Sequence, residues 1–329
     1  RLRVLIVSPY AAAANNGNWR TAARWARLLR PDHRVIVRTA GQPLADADVM
    51  IALHARRSHA AVREWRERHG ARPCIVVLTG TDLYRDVPER DRDALASLAL
   101  ADRLIVLQEL GIEALPARFR VKARVVYQSA PALVPVAKTV RRLGALFVGH
   151  VRPEKDAATF LRAAARLAGR GDIGFELVGG LRDEPAGAAL AGLLRGAPQV
   201  RRRGALGHAA TRQRIRRAHV LVVPSRMEGG ANVIVEAVTA GTPVLASDCD
   251  GNIGMLGASY PGYFPVGDDA ALAALLVRCR EDPRLLARLS RACAARAAKF
   301  ATEREGRVLA RVIGERVLAR SGERRRAAG

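Results

Sequence analysis

The residue types best suited to chemistry gather in one stretch, Pro224-Ser225-Arg226-Met227-Glu228-Gly229-Gly230-Ala231-Asn232-Val233-Ile234-Val235-Glu236-Ala237. Glu228 and Glu236 stand eight residues apart. The first falls in a loop after the apolar strand Val220–Val223, the second in the early turns of a helix. Gly229 and Gly230 let backbone N–H groups come close to a ligand. With Ala231, Asn232 and Val233 opening the helix, the positive end of its dipole favours a phosphate or a sugar hydroxyl. The Glu236 carboxylate only accepts hydrogen bonds, so it suits a ribose diol. The same pattern also describes a Gly-rich turn, a capped helix and a buried glutamate paired with an arginine, and spacing alone leaves both readings open.

A second set lies in Val148-Gly149-His150-Val151-Arg152-Pro153-Glu154-Lys155-Asp156, again just after an apolar run. A fixed cation such as Lys155 stabilises negative charge that develops on a bound group. His150 and Arg152 offer further donors, although a neutral His lacks the fork with which Arg grips phosphate. In the first half, Ser8-Pro9-Tyr10 leads through Asn15, Asn16, Gly17, Asn18, Trp19 and Arg20, where Gly17 supplies a turn and Asn18 an N-cap. His54 and the run Thr79-Gly80-Thr81-Asp82 follow two more apolar runs. His54 reads equally well as a capping or packing residue.

These residues need a scaffold that ends strands in loops. Strands are predicted at Leu2–Val7, Arg34–Arg38, Val49–Leu53, Cys74–Leu78, Arg103–Leu107 and Ala123–Tyr127. Helical patterns fall between them at Asn18–Leu29, His59–His69, Arg90–Leu100 and Gly111–Ala117. A second alternation has strands at Leu143–Val148, Ile173–Val178, Val200–Arg203, Val220–Val223, Val244–Ala246 and Gly262–Val266. Its helices are Asp156–Leu167, Pro185–Leu194, Ala209–Ala218, Asn232–Ala240, Asp269–Glu281 and Pro283–Lys299, before a last helix at Thr302–Arg320 and a frayed tail at Glu323–Gly329. Strands alternating with helices predict parallel sheets, and their continuous apolar runs imply that both faces are covered. The fold class is therefore α/β, with two Rossmann-like parallel-sheet domains facing across a cleft. The first domain is placed at 1–134, a linker at 135–143, the second domain at 144–300, and a C-terminal helix and tail at 301–329, with a crossing back to the first domain left open.

The chain has 329 residues, 49% of them hydrophobic but only 4% aromatic, so its cores must rest on Ala, Leu and Val. Lys and Arg number 55 against 31 Asp and Glu, a net charge of +24 that draws anions or reflects a habit of using Arg. Basic residues are scattered over both halves without interleaved stacking aromatics, which argues against a nucleic-acid module. Cys74, Cys249, Cys279 and Cys293 form no CxxC and read as reduced core residues, which suits the cytoplasm. Neither a signal peptide nor a membrane span is expected, since Leu2–Val7 is a six-residue run.

The run from Glu228 to Glu236, continued by Ala237 through Val244, resembles the donor-site signature of retaining GT-B glycosyltransferases of family 4. Gly149–Asp156 resembles that family's G-R-L-x-x-E-K-G, and Thr79–Asp82 its HGTD loop, so the likeness spans nearly the whole chain. The resemblance implies that Glu236 holds the nucleotide ribose, that Glu228 with Gly229 and Gly230 holds the sugar, and that Lys155 neutralises the diphosphate. Two departures stand out. His150 occupies the family's Arg position, and Asn16, Gly17, Asn18 and Arg20 replace a glycine-rich loop on the acceptor side. Asn15–Trp19 and Gly149–Lys155 together resemble a narrower group, the selenosugar synthases of selenoneine biosynthesis. That likeness implies a UDP-sugar donor, UDP-N-acetylglucosamine, and selenophosphate as acceptor, with small-molecule substrates and no cofactor. No metal is expected, protein cations taking the place of Mg²⁺. An anionic acceptor fits the Arg excess, and a selenium nucleophile that is already deprotonated needs no general base. The alternative is a family-4 enzyme adding a sugar to a hydroxyl of a lipid or small molecule. The stereochemical outcome and the oligomeric state are open.

Overall fold

A computed structural model describes residues 1–14, 16–181 and 184–327. Asn15 and the last two residues of the predicted tail therefore lie outside it. The chain divides into two compact units, 1–128 with 302–329 and 129–301.

The first unit runs β1 (Arg3–Ser8), α1 (Gly17–Leu29), β2 (Arg34–Thr39), β3 (Val49–Leu53), α2 (His59–His69), β4 (Cys74–Val77), α3 (Arg92–Leu100), β5 (Arg103–Val106), α4 (Leu110–Glu113), α5 (Ala117–Arg120) and β6 (Ala123–Val125). Its six strands are parallel, in the order β2-β1-β3-β4-β5-β6. Every residue of β3 and β4 is buried, as runs of Val, Met, Ile, Ala, Leu and Cys require when helices cover both faces. One face packs on Val62, Trp65 and Leu98, the other on Trp25 and Leu29. Asn16 begins α1 by accepting from the Trp19 N–H at 3.0 Å, which puts the N-cap two residues ahead of the predicted Asn18. The single helix predicted at Gly111–Ala117 is two short ones. Pro116 has no N–H to continue the ladder and biases Leu115 away from helix.

The second unit runs β7 (Leu143–Val148), α6 (Ala157–Arg166), β8 (Ile173–Val178), α7 (Glu184–Arg195), β9 (Val200–Gly204), α8 (His208–Arg217), β10 (Val220–Val223), α9 (Asn232–Val238), β11 (Val244–Ser247), α10 (Asp250–Leu256), β12 (Tyr263–Phe264), α11 (Asp269–Glu281) and α12 (Pro283–Arg296). These six strands are also parallel, ordered β12-β11-β10-β7-β8-β9. Phe160 of α6 sits between Phe147 and Phe175 with ring centroids 5.7 and 5.8 Å away, a favoured tilted aromatic spacing. The sequence pattern missed α10, whose Gly-rich start hides its helical period. The end of the predicted first domain and the segment read as a linker both belong to this unit: the Leu133 N–H donates to Thr239 O at 2.8 Å and Lys138 Nζ to Thr242 Oγ1 at 3.3 Å, and the division falls after Gln128 rather than after Val134.

After Ala301 the chain returns to the first unit as α13 (Thr302–Ala327), which outruns the predicted end at Arg320. Leu309, Val312 and Ile313 bury in the Trp25 face of that unit's core. Glu305, 1% exposed, accepts from Trp25 Nε1 at 2.6 Å and pairs with Arg24 at 2.8 Å. Removing one partner of a buried ion pair strands the other without compensation, at about 3–5 kcal/mol. Glu305→Ala should therefore lower the first unit's unfolding free energy, measured in urea, by that amount; an unchanged free energy would mean that α13 is not anchored there.

Candidate active site

In both sheets the chain order reverses once, between β1 and β3 in the first and between β7 and β10 in the second. Open α/β sheets bind ligands outside the carboxyl ends of strands at such reversals, where adjacent loops diverge and leave a crevice. The loops after β7 and β10 are Gly149–Asp156 and Pro224–Ala231, the two segments singled out from residue type.

The second unit ties these loops together at three points. Lys155 Nζ lies 2.5 Å from Glu228 Oε1. The Arg226 N–H donates to Glu154 O at 2.9 Å, and the Arg226 guanidinium is 3.2 Å from Asp156 Oδ2. Asp156 is held in the left-handed region (φ 45°), where it caps α6 by accepting from Thr159 N and Oγ1 at 3.2 and 2.9 Å. Aspartate tolerates that conformation better than most side chains because its short carboxylate bonds locally. Ser225 Oγ donates to Glu228 Oε1 at 2.6 Å, so this one oxygen takes both a cation and a hydroxyl.

Two glycines allow the loops to come this close. A Cβ on Gly251 would stand 1.8 Å from Glu228 O, and a Cβ on Gly179 would stand 1.8 Å from Gly149 O. Ser225, Gly251 and His208 carry no local spacing signal, and sequence reasoning gave none of them a role. Ser247, which donates to Ser225 O at 2.5 Å, completes the support from β11.

Glu236 sits one turn into α9 and faces α8 rather than Lys155. His208 Nε2 lies 2.8 Å from Glu236 Oε1. One turn further along α8, burial holds the Arg212 guanidinium below its usual value while the Glu236 charge opposes that effect. Glu228 and Glu236 are both buried, at 8% and 5% exposure. Gly229, Gly230 and Ala231 continue the loop beside Glu228, and Asn232 and Val233 open α9 with partly exposed side chains. His150 lies over Gly180, with Nδ1 3.3 Å from where its Cβ would stand, and Arg152 is exposed.

In the first unit, Asn16, Gly17, Asn18 and Arg20 open α1 after β1, and His54 follows β3, at that sheet's reversal. His54 is buried and in the left-handed region (φ 71°), uncommon for a residue with a Cβ. Its Nδ1 accepts from the Arg57 N–H at 3.3 Å, so the hydrogen-bond network assigns the ring proton to Nε2, 3.0 Å from Thr81 Oγ1. Asp82 is fully buried. Oδ1 accepts from the backbone N–H groups of Thr79, Gly80 and Leu83 at 2.9, 2.9 and 3.1 Å, and Oδ2 from Ala55 at 2.8 Å. The structure thus makes Asp82 the brace between the loops after β3 and β4.

Among the described residues no group of three or more His, Cys, Asp or Glu is placed to hold a metal ion. Asp-x-Asp spacings do occur in the sequence. Asp46 and Asp48 pair with Arg3, Asp91 caps α3, and Asp248 accepts from the Val266 N–H. No helix among the described residues is long and apolar enough to cross a membrane.

Twin six-stranded parallel sheets, each with loops gathered at a single reversal, place the chain in the GT-B fold class. Residues 142–282 match the family model described as glycosyl transferases group 1. A D-inositol 3-phosphate glycosyltransferase of Streptomyces avermitilis is 36% identical over 170 residues, 47% of this chain and 36% of that protein. The chain thus spans little more than a third of the length of the curated relatives it first matches. Sucrose-phosphate synthase of Thermosynechococcus elongatus superposes with a TM-score of 0.79 at 19% identity, covering 97% of this chain and all of that one. Anabaena HepE in complex with UDP and glucose gives 0.76 at 16% identity, covering 96% of this chain and all of its own. Residues 142–282 thus resemble the group 1 glycosyl transferases, and the chain as a whole has the GT-B fold.

Gly251→Ala tests the loop packing. Overpacking at a fixed contact costs about 1–3 kcal/mol, so the second unit should melt at lower temperature by calorimetry. An unshifted transition would show that the Glu228 loop does not depend on that approach.

Proposed function

We propose that the chain transfers a sugar from a nucleoside diphosphate sugar held by its second unit. The observation that carries this is the Lys155–Glu228 pair at the sheet reversal, with Glu236 buried on the helix that follows. When the anomeric C–O bond breaks, its electron pair stays on the diphosphate. Lys155, already fixed beside the loop, is placed to stabilise that charge without reorganising solvent. The second oxygen of Glu228 and the N–H groups of Gly229 and Gly230 receive the sugar hydroxyls, and Glu236 receives the ribose. Arg152 is exposed and available to the diphosphate in place of His150, which lies over Gly180.

The finer reading takes UDP-N-acetylglucosamine as donor and selenophosphate as acceptor. Selenium attacks the anomeric carbon, a C–Se bond forms, the C–O bond breaks and UDP leaves. The hydrogen bonding of His54 and Asp82 supports a nucleophile that arrives deprotonated. His54 Nδ1 accepts from a backbone N–H, and the Asp82 carboxylate accepts from four. A hydroxyl of a small phosphorylated molecule is the second reading, favoured by the likeness to a D-inositol 3-phosphate glycosyltransferase. No metal takes part in either. The cytoplasm suits four free cysteines, of which burial pushes Cys74 and Cys279 up to about 12 and Cys249 up to about 11.

Purified protein with UDP-N-acetylglucosamine should release UDP on addition of selenophosphate. Release only with inositol phosphate would reject the selenium acceptor, and release with neither would reject the transfer. Glu236→Ala should weaken UDP binding about 10- to 100-fold by calorimetry, the loss of hydrogen bonds to a charged group; unchanged affinity would refute the donor map. Turnover should survive EDTA. Activity lost in EDTA and restored by Mg²⁺ would overturn the metal-free assignment.

A further inference from the structure

A second concavity lies in the second unit, toward the opposite ends of the strands from Lys155. It has a volume of about 210 Å³ and is lined by the early residues of β7, β8 and β9 and the late residues of α8. Four guanidinium groups line it, those of Arg142, Arg201, Arg214 and Arg217, against one carboxylate, Glu176. Arg214 Nε is 3.6 Å from Glu176 Oε1, and Arg203 Nε is 3.5 Å from Oε2, both too long to be good hydrogen bonds. Among the described residues Arg142, Arg201 and Arg217 have no carboxylate at ion-pairing distance.

Register shows how the floor is built. Gly144 pairs with Gly174, and Glu176 stands beside both Leu146 and Arg201 on the same face. Strand interiors favour branched and aromatic side chains, and glycine there marks a close approach. At Gly174 the approaching group is Arg142. A Cβ on Gly174 would meet Arg142 Nε at 2.8 Å and Cζ at 3.1 Å, so the missing side chain is what lets this guanidinium lie on the sheet. Like charges brought together at a concave surface repel one another, whereas on a convex surface they separate into water. An anion relieves that repulsion, and planar guanidinium forks match phosphate oxygens in pairs.

We propose that this pocket binds a small phosphorylated anion, separately from the donor site. Gly144 and Gly149 are five residues apart along β7, about 16 Å at strand rise, so one diphosphate does not span both sites. The ligand is a free phosphate ester or diphosphate, or the headgroup of an anionic lipid, which share this chemistry.

The test is calorimetric titration of the full chain with inorganic pyrophosphate in the presence of saturating UDP, which occupies the donor site. A binding isotherm should persist under UDP and in Lys155→Ala, and should weaken at least about tenfold in the double variant Arg201→Ser/Arg217→Ser, both exposed side chains whose loss spares the core. Gly174→Val, which displaces Arg142, should weaken it as well. Absence of heat at millimolar pyrophosphate under UDP, or the same affinity in the double variant, would overturn the pocket. Phosphatidylglycerol vesicles give the lipid arm: sedimentation of wild type but not of the double variant, alongside pyrophosphate binding, assigns the headgroup. Vesicle binding without pyrophosphate binding contradicts the proposal. Because the titration reads no sugar transfer, it stands or falls independently of the transferase reading.

Discussion

The structure of the candidate site depends on one contact, the 2.5 Å pair between Lys155 and Glu228. Neither charge is well solvated: the lysine side chain is 18% exposed and the glutamate 9%. Each would be expensive to hold there alone, because a half-buried charge loses hydration that only a partner restores. Together they bring the loop after β7 against the loop after β10, at the one place in the sheet where consecutive connections run in opposite directions. Ser225 adds a hydroxyl to the same carboxylate oxygen. The arrangement sets a cation against the loop that carries Gly229 and Gly230.

Keeping those loops together requires close backbone approaches on both flanks. Gly251 at the start of α10 and Gly179 after β8 leave room for the carbonyls of Glu228 and Gly149 that no other side chain would leave. Asp156 accepts a left-handed conformation so that it can cap α6 and still reach Arg226. In the first unit the same economy appears at Asp82, which ties the loops after β3 and β4 through four backbone N–H groups. Asp82 and Asp156 thus both hold loops that follow strands at the sheet reversals.

Much of this was legible in the sequence, for definite reasons. Parallel strands covered on both faces leave continuous apolar runs, so Val49–Leu53 and Val220–Val223 are strands with the predicted bounds. The glycine pair between two glutamates marked the loop after β10 because few other patterns place N–H groups and carboxylates so close together. What stayed hidden arises from distance in sequence. His208 meets Glu236 across 28 positions, and Glu305 reaches Trp25 across 280, so neither spacing repeats within a window that periodicity can read. The helix α10 escaped because Gly251 and Gly254, poor helix formers, occupy it, the first where Glu228 O comes too close for a side chain. That Asp82 also braces two loops through four backbone N–H groups is visible only in the structure.

On the function proposed above, the Lys155–Glu228 pair is the wall of a nucleotide-sugar pocket. The most direct measurement is the crystal structure of the protein with bound UDP. The β-phosphate should lie within hydrogen-bonding distance of Lys155 Nζ and the ribose hydroxyls on Glu236. Nucleotide density that leaves the Lys155–Glu228 contact unchanged and lies away from α9 would contradict it.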